Sequence, residues 1–121
     1  MNVRGYSYTT LYKGAPTTTG SGSAVDLTNS AGVGTRESML LLTAAGTTGS
    51  GAMGTITLWE SSASGGTYTA VDTDTIADIS ADGVQAVPCR VTKEFVKFCF
   101  ATATTGVNVA AVLIHLKRET G

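Results

Sequence analysis

Apolar side chains recur at every second position along several short stretches of this chain, and that period sets what it can fold into. Over residues 55–60, Ile56 and Leu58 fall on one side and Thr57 and Trp59 on the other. Over 94–102, Val96, Phe98 and Phe100 share a face, with Phe95, Lys97 and Cys99 opposite. Over 107–117, Val112, Ile114 and Leu116 keep the same rhythm. Side chains that alternate with a period of two belong to extended strands rather than helices. Residues 84–91 read as a further strand, and Pro88 inside it points to an edge or a bulge, because proline has no N–H for the ladder.

Between these runs the chain is punctuated by small polar residues. Ser61-Ser62-Ala63-Ser64-Gly65-Gly66 is a turn, and 67–71 is expected to return as its hairpin partner. Ala24-Val25-Asp26-Leu27 is a short core strand, followed by a polar loop over 28–35. The apolar run Met39-Leu40-Leu41-Leu42 suits a strand covered on both faces, and the glycines at 46, 49, 51 and 54 weigh against helix there. Residues 73–82 (TDTIADISAD) fit either one helical turn, with Ile76 and Ile79 three apart, or a connecting loop. Thr104-Thr105-Gly106 is a turn.

The expectation is an all-β chain of about seven or eight strands, an antiparallel β-sandwich or jelly-roll-like domain. A parallel sheet would need helical crossovers that the sequence lacks. At 121 residues the chain fits one domain. Its weakly patterned residues 1–22 are expected to form an N-terminal arm and flexible connection, and 23–121 the β-sandwich domain.

Composition narrows the function classes. Charged residues make up only 14% of the chain and the net charge is −1, against about 25% charged residues in an average domain. The longest basic run is Lys117-Arg118, with Glu119 directly after it, so the basic stripe that neutralises phosphates is missing and nucleic acid is not an expected partner. No stretch reaches the roughly 20 apolar residues that span a bilayer, and the start MNVRGYSYTT has no signal-peptide core. The expectation is therefore a chain made in a cytoplasm, without a membrane partner and with Cys89 and Cys99 as thiols. Two cysteines, one histidine and no CxxC do not compose a zinc site, and no cofactor is expected.

Catalysis needs a reactive group with partners that tune it. His115 is the sole histidine and reads as a surface or interface imidazole on the last strand. GxSxG and HExxH are absent, and the glycine-rich segments lack the lysine of a phosphate loop. Asp72, Asp74, Asp78 and Asp82 place carboxylates near one another, but the fifth position from Asp72 is Ile76 and the twelfth is Gly83, which rules out an EF-hand. An enzyme is not expected. The aromatic residues carry the remaining signal. Trp59 lies on the face opposite Ile56 and Leu58, where it is either an interface anchor, a sugar-stacking platform, or a side chain tucked under a neighbouring loop. Tyr6, Tyr8 and Tyr12 lie in an extended segment that either adds to a neighbour's sheet edge or forms the first strand of its own sheet.

Ala24–Leu27, the run over 37–42, TITLWESSASGGTYTAVD over 55–72 and KEFVKFCFAT over 93–102 follow one another in an order that resembles a group of small tailed-bacteriophage structural proteins. In that group a "strand, Glu-Ser, turn, Gly, Thr-Tyr-Thr-x-Val" hairpin precedes a "Lys, aromatic, Val, Lys/Arg, Phe/Val" strand. The similarity spans roughly residues 22–116, and the usual acidic pair of the hairpin turn is here Ala63-Ser64. Members with an assigned role resemble capsid decoration, or cement, proteins. The resemblance implies a jelly-roll or sandwich domain on the outer surface of a phage head, with the major capsid protein as partner, often as a homo-oligomer and then a trimer. Two other readings are a carbohydrate- or receptor-binding module and a head–tail or tail component. Across all of them, Tyr6, Tyr8, Tyr12 and Trp59 are the candidate interface residues.

Overall fold

A computed structural model of the chain describes residues 4–15, 20–27, 36–49, 51–104 and 106–118, with the backbone alone at 4–7, 21, 36–37 and 115–118. The described residues form ten strands and no helix. They are β1 (Arg4–Gly14), β2 (Gly20–Ser21), β3 (Val25–Asp26), β4 (Arg36–Ala44), β5 (Met53–Ser61), β6 (Thr69–Ala70), β7 (Asp72–Thr73), β8 (Gly83–Val91), β9 (Phe95–Ala103) and β10 (Val109–Arg118). The chain is all-β, as the alternation predicts. The count exceeds the expected seven or eight because four of the strands, β2, β3, β6 and β7, are only two residues long.

The strands form two sheets in which every pairing is antiparallel. The first has the order β1-β10-β4-β8-β7 and the second β2-β9-β5-β6, with β3 also on β9. Their inward side chains meet in one core. Leu40, Leu42, Val87, Cys89, Ala111 and Leu113 come from the first sheet, and Ile56, Leu58, Val96, Phe98 and Phe100 from the second. Burying a side chain of phenylalanine size contributes about 2–3 kcal/mol, so the alternating positions of β5, β9 and β10 supply much of the driving force.

A bulge fixes how β1 joins this core. Its register with β10 runs evenly from Arg4 opposite Arg118 to Thr10 opposite Val112, then shifts so that Tyr12 sits opposite Ala111. The extra residue, Leu11, is buried, and the shift turns Tyr12 inward as well. Tyr12 stacks on Phe98 at 5.5 Å between ring centres and meets Phe100 edge-on at 5.4 Å, which joins the two sheets directly. Residues 4–14 are thus the first strand of the protein's own sheet. The expected flexible connection falls partly, and the expected loop over 28–35 wholly, outside the described residues.

Other expectations are refined by the pairing. The hairpin after β5 exists, but its return strand pairs only at Thr69 and Ala70, opposite Glu60 and Trp59. Residues 74–82 form a loop that drops Ile79 into the core and bridges it to Met53. Pro88 lies opposite Met39, and its carbonyl accepts from Asp74 N at 3.0 Å on the far side of β8. The two polar groups of an antiparallel residue point the same way, so the missing N–H of Pro88 faces the sparse edge of β7 rather than β4. The run 39–42 is not covered on both faces: Leu40 and Leu42 are buried, but Met39 is 39% exposed. In β10 the core side belongs to Val109, Ala111 and Leu113, and Val112 and Ile114 lie on the outside.

Two backbone positions show where the loops constrain one another. Gly106 has φ 109°, and a β-carbon there would lie 2.5 Å from the Thr48 carbonyl oxygen, so the approach of the 46–51 loop to this turn needs glycine. Thr55 is the only non-glycine residue with positive φ among those described, at 51°, and its N–H donates to Asp78 Oδ1 at 3.1 Å. A β-branched residue in this region is strained by about 1–2 kcal/mol. Thr55→Gly is therefore expected to raise stability by about 0.5–1 kcal/mol, after allowing for the greater freedom of glycine in the unfolded chain. Urea unfolding would show this as a higher midpoint at unchanged slope.

Candidate interaction surfaces

The outer face of the first sheet is apolar across four strands. Reading across the registers, one row is Tyr8, Ile114, Met39 and Pro88. The next is Thr10, Val112, Leu41 and Ala86, and the third is Lys13, Ala110, Thr43 and Val84. Tyr8 is 70% exposed and Val84 67%. Charge enters this part of the face only at Lys13, beside a shallow hollow of about 270 Å³ that reaches Ala15, Ala45 and Asn108. The ion pair of Arg90 and Asp72, 3.1 Å apart, lies at the far margin. Both partners are well exposed, so the pair adds less than about 1 kcal/mol to stability.

Trp59 lies on the outer face of the second sheet, on the opposite side of the domain. It is half-buried, next to Lys97 on β9 and Ala70 on β6. Its indole N–H donates to Thr57 Oγ1 at 2.9 Å. The Lys97 ammonium sits 4.4 Å over the ring of Tyr68, whose hydroxyl donates to the Ser64 carbonyl at 2.8 Å. The four residues singled out by sequence therefore do not form one site. Tyr8 faces outward on the first sheet, Trp59 on the second, and Tyr12 packs into the core. Tyr6 pairs with Leu116 in register, and its side chain lies outside the described residues.

The ionisable groups are placed for structure. Among the described residues no three of His, Cys, Asp and Glu gather in a way that could hold a metal ion. Three of the four acidic residues of 72–82 are used one by one: Asp72 by Arg90, Asp78 by Thr55 N, and Asp82 by Thr47 N at 2.7 Å. That last hydrogen bond, from the Thr47 backbone, holds the Asp82 carboxyl below its ordinary value. The tie between the two loops is therefore present above the usual carboxylate range and is lost as pH falls through the lowered value. His115 stands opposite Ser7 and Ser38 in register, and its side chain is outside the described residues.

One acid was missed by sequence reasoning. Glu60 is only 6% exposed and points inward, in phase with Ile56 and Leu58. Its Oε1 accepts from Thr92 N at 2.8 Å and Lys93 N at 3.2 Å, and its Oε2 accepts from Thr92 Oγ1 at 3.0 Å. The carboxylate thereby closes the turn between β8 and β9. The signal was present in the alternation itself, which puts position 60 on the core side. Glu60→Ala is expected to destabilise the fold by about 2–4 kcal/mol, because three polar groups lose a charged acceptor. Denaturant unfolding checks this.

Neither cysteine is in a disulfide. Cys89 is 2% exposed, and burial pushes its thiol up to about 11, outweighing a hydrogen bond from the Leu40 backbone and the charge of Arg90. Cys99 is half-buried on the outer face of the second sheet. Iodoacetamide at pH 8 is accordingly expected to label Cys99 first, leaving Cys89 unmodified until denaturant is added. Peptide mass mapping reads the order.

Compared with protein-family profiles, curated proteins and solved structures, the chain has no match in any of the three.

Proposed function

We propose that this chain is a virion structural protein that binds the outer surface of a tailed-phage head and reinforces the capsid lattice, with the major capsid protein as its partner. The observation that carries this reading is the open apolar outer face of β1, β10, β4 and β8. Apolar area that is contiguous, exposed and nearly uncharged marks a surface made to be covered by protein. The resemblance of the hairpin and of the 93–102 strand to phage decoration proteins supplies the kind of partner. The role requires a stiff domain that binds assembled shells better than free subunits, since only such preference stabilises the assembly. Many copies, each with a modest interface, would add their binding free energies over the shell.

The strand pairing supports a jelly-roll reading of the two sheets. If β2 with β3, and β6 with β7, are each counted as one strand, eight remain. Strands 1, 2, 3 and 4 then pair with 8, 7, 6 and 5. This is the order of an antiparallel ribbon folded back on itself and rolled into two sheets, an architecture common among viral capsid domains and lectins. Because lectins share it, a carbohydrate-binding module is the second reading. Trp59 lies on a flat outer face, but its half-burial and its bond to Thr57 leave it less open than a sugar platform requires.

The purified chain is expected to co-sediment with assembled heads, to ignore free capsid subunits, and to raise the temperature at which heads open. Met39→Glu, on the outer face, should fold normally and lose head binding at least tenfold. A chain that fails to co-sediment with heads, or that binds a glycan array through Trp59 instead, would overturn the assignment.

A further inference from the structure

Two sheets have four edges, and three of them are closed by short strands and side chains. On β9 the edge is covered by β2 and β3, joined by Gly22 N to Phe98 O at 2.8 Å and Leu27 N to Glu94 O at 2.7 Å. On β5 it is covered by β6, by Val71 N to Leu58 O, by the Met53–Ile79 bridge, and by Asp78 on Thr55 N. On β8 it is covered by β7 and then by Gln85, whose side-chain amide bonds both the N–H and the carbonyl of Ala77, at 3.0 and 2.9 Å. The fourth edge is β1, eleven residues long. Near its end the chain at Gly22 lies against it, where a β-carbon would come within 2.8 Å of the Leu11 carbonyl oxygen. Among the described residues nothing pairs with the outer edge of Arg4–Thr10.

This open stretch lacks the usual protections. It contains no proline, its bulge comes only after Thr10, and from Gly5 to Tyr12 it carries no charge. Every second residue of an edge strand points its N–H and carbonyl outward, and a long, uncharged edge is a template for another strand. Tyr8, 70% exposed, stands in the middle of it on the outer face.

We infer that β1 pairs with β1 of a second copy of this chain, antiparallel about a two-fold axis. An antiparallel strand is complementary to itself under such an axis, so one sequence satisfies both edges. We place the axis at Ser7, which brings all of the described open stretch, Arg4–Thr10, into the pairing. Tyr8 of each copy then lies opposite Tyr6 of the other, and Thr10 opposite Arg4. The two five-stranded sheets join into one of ten strands, whose apolar outer faces run together. The inference does not depend on the virion reading, and it replaces the trimer that the resemblance implies with a dimer.

The test is the mass of the full chain in solution, by light scattering and sedimentation equilibrium, without capsids present. The native chain should have twice the mass of one copy. Tyr8→Lys puts a charge in the middle of the edge at an exposed position and should give a folded monomer, whereas Tyr8→Phe should remain dimeric. The register is tested at Thr10, which is also exposed. Thr10→Lys places like charges opposite Arg4 twice per dimer and should weaken the dimer roughly tenfold, and Thr10→Glu should strengthen it by a similar factor. A monomeric or trimeric native chain, or a dimer indifferent to Tyr8→Lys, overturns the inference. Equal effects of Lys and Glu at position 10 overturn the register. Head binding by a monomeric chain would leave the virion reading standing and remove only this one.

Discussion

The bulge at Leu11 is the constraint on which the joining of the two sheets depends. Strand pairing alone would carry the even-numbered side chains of β1 outward along its whole length. One unpaired residue reverses the phase, so that Leu11 and Tyr12 both enter the core. Tyr12 then reaches Phe98 and Phe100 on the facing sheet, and the half of β1 before the bulge keeps Tyr8 outside. A single insertion thus divides one strand into a segment that holds the sheets together and a segment that is exposed.

The polar interior follows the same economy. Glu60 is the one charged side chain buried among the described residues, and its acceptor sites are taken by a single turn. A buried carboxylate is tolerable only when hydrogen-bonded, so Glu60 and the β8–β9 turn specify one another. Asp78, Asp82 and Gln85 act similarly at the surface, where each side chain substitutes for backbone pairing that the loops cannot supply. The loop that suggested a calcium site is instead a set of separate clasps on neighbouring backbone.

The two broad surfaces differ in character. The outside of the first sheet carries a broad apolar area in which Lys13 is the one charge, with the Arg90–Asp72 pair at its margin, whereas that of the second carries Trp59 beside Lys97 and the Lys97–Tyr68 contact. Apolar area on an open sheet is costly in water, and cover by protein relieves that cost. This links the proposed head-binding role and the β1 pairing, although each rests on its own observation and can fail without the other.

What the sequence determined by itself was local: the long strands from β4 onward, and the core side of β5 and β9, because period-two alternation is written in adjacent residues. Ile56, Leu58, Val96, Phe98 and Phe100 all lie where that period places them, and Trp59 lies on the outer side. Tertiary structure decided everything that depends on which strands become neighbours. The run 39–42 reads the same whether its second face is covered or open, and only the position of β4 between β10 and β8 leaves Met39 outside. Tyr12 has the spacing of Tyr6 and Tyr8, and only the bulge takes it inside. The reason is physical: periodicity records which way a side chain points along its own strand, and a register shift or an uncovered edge is a relation between strands.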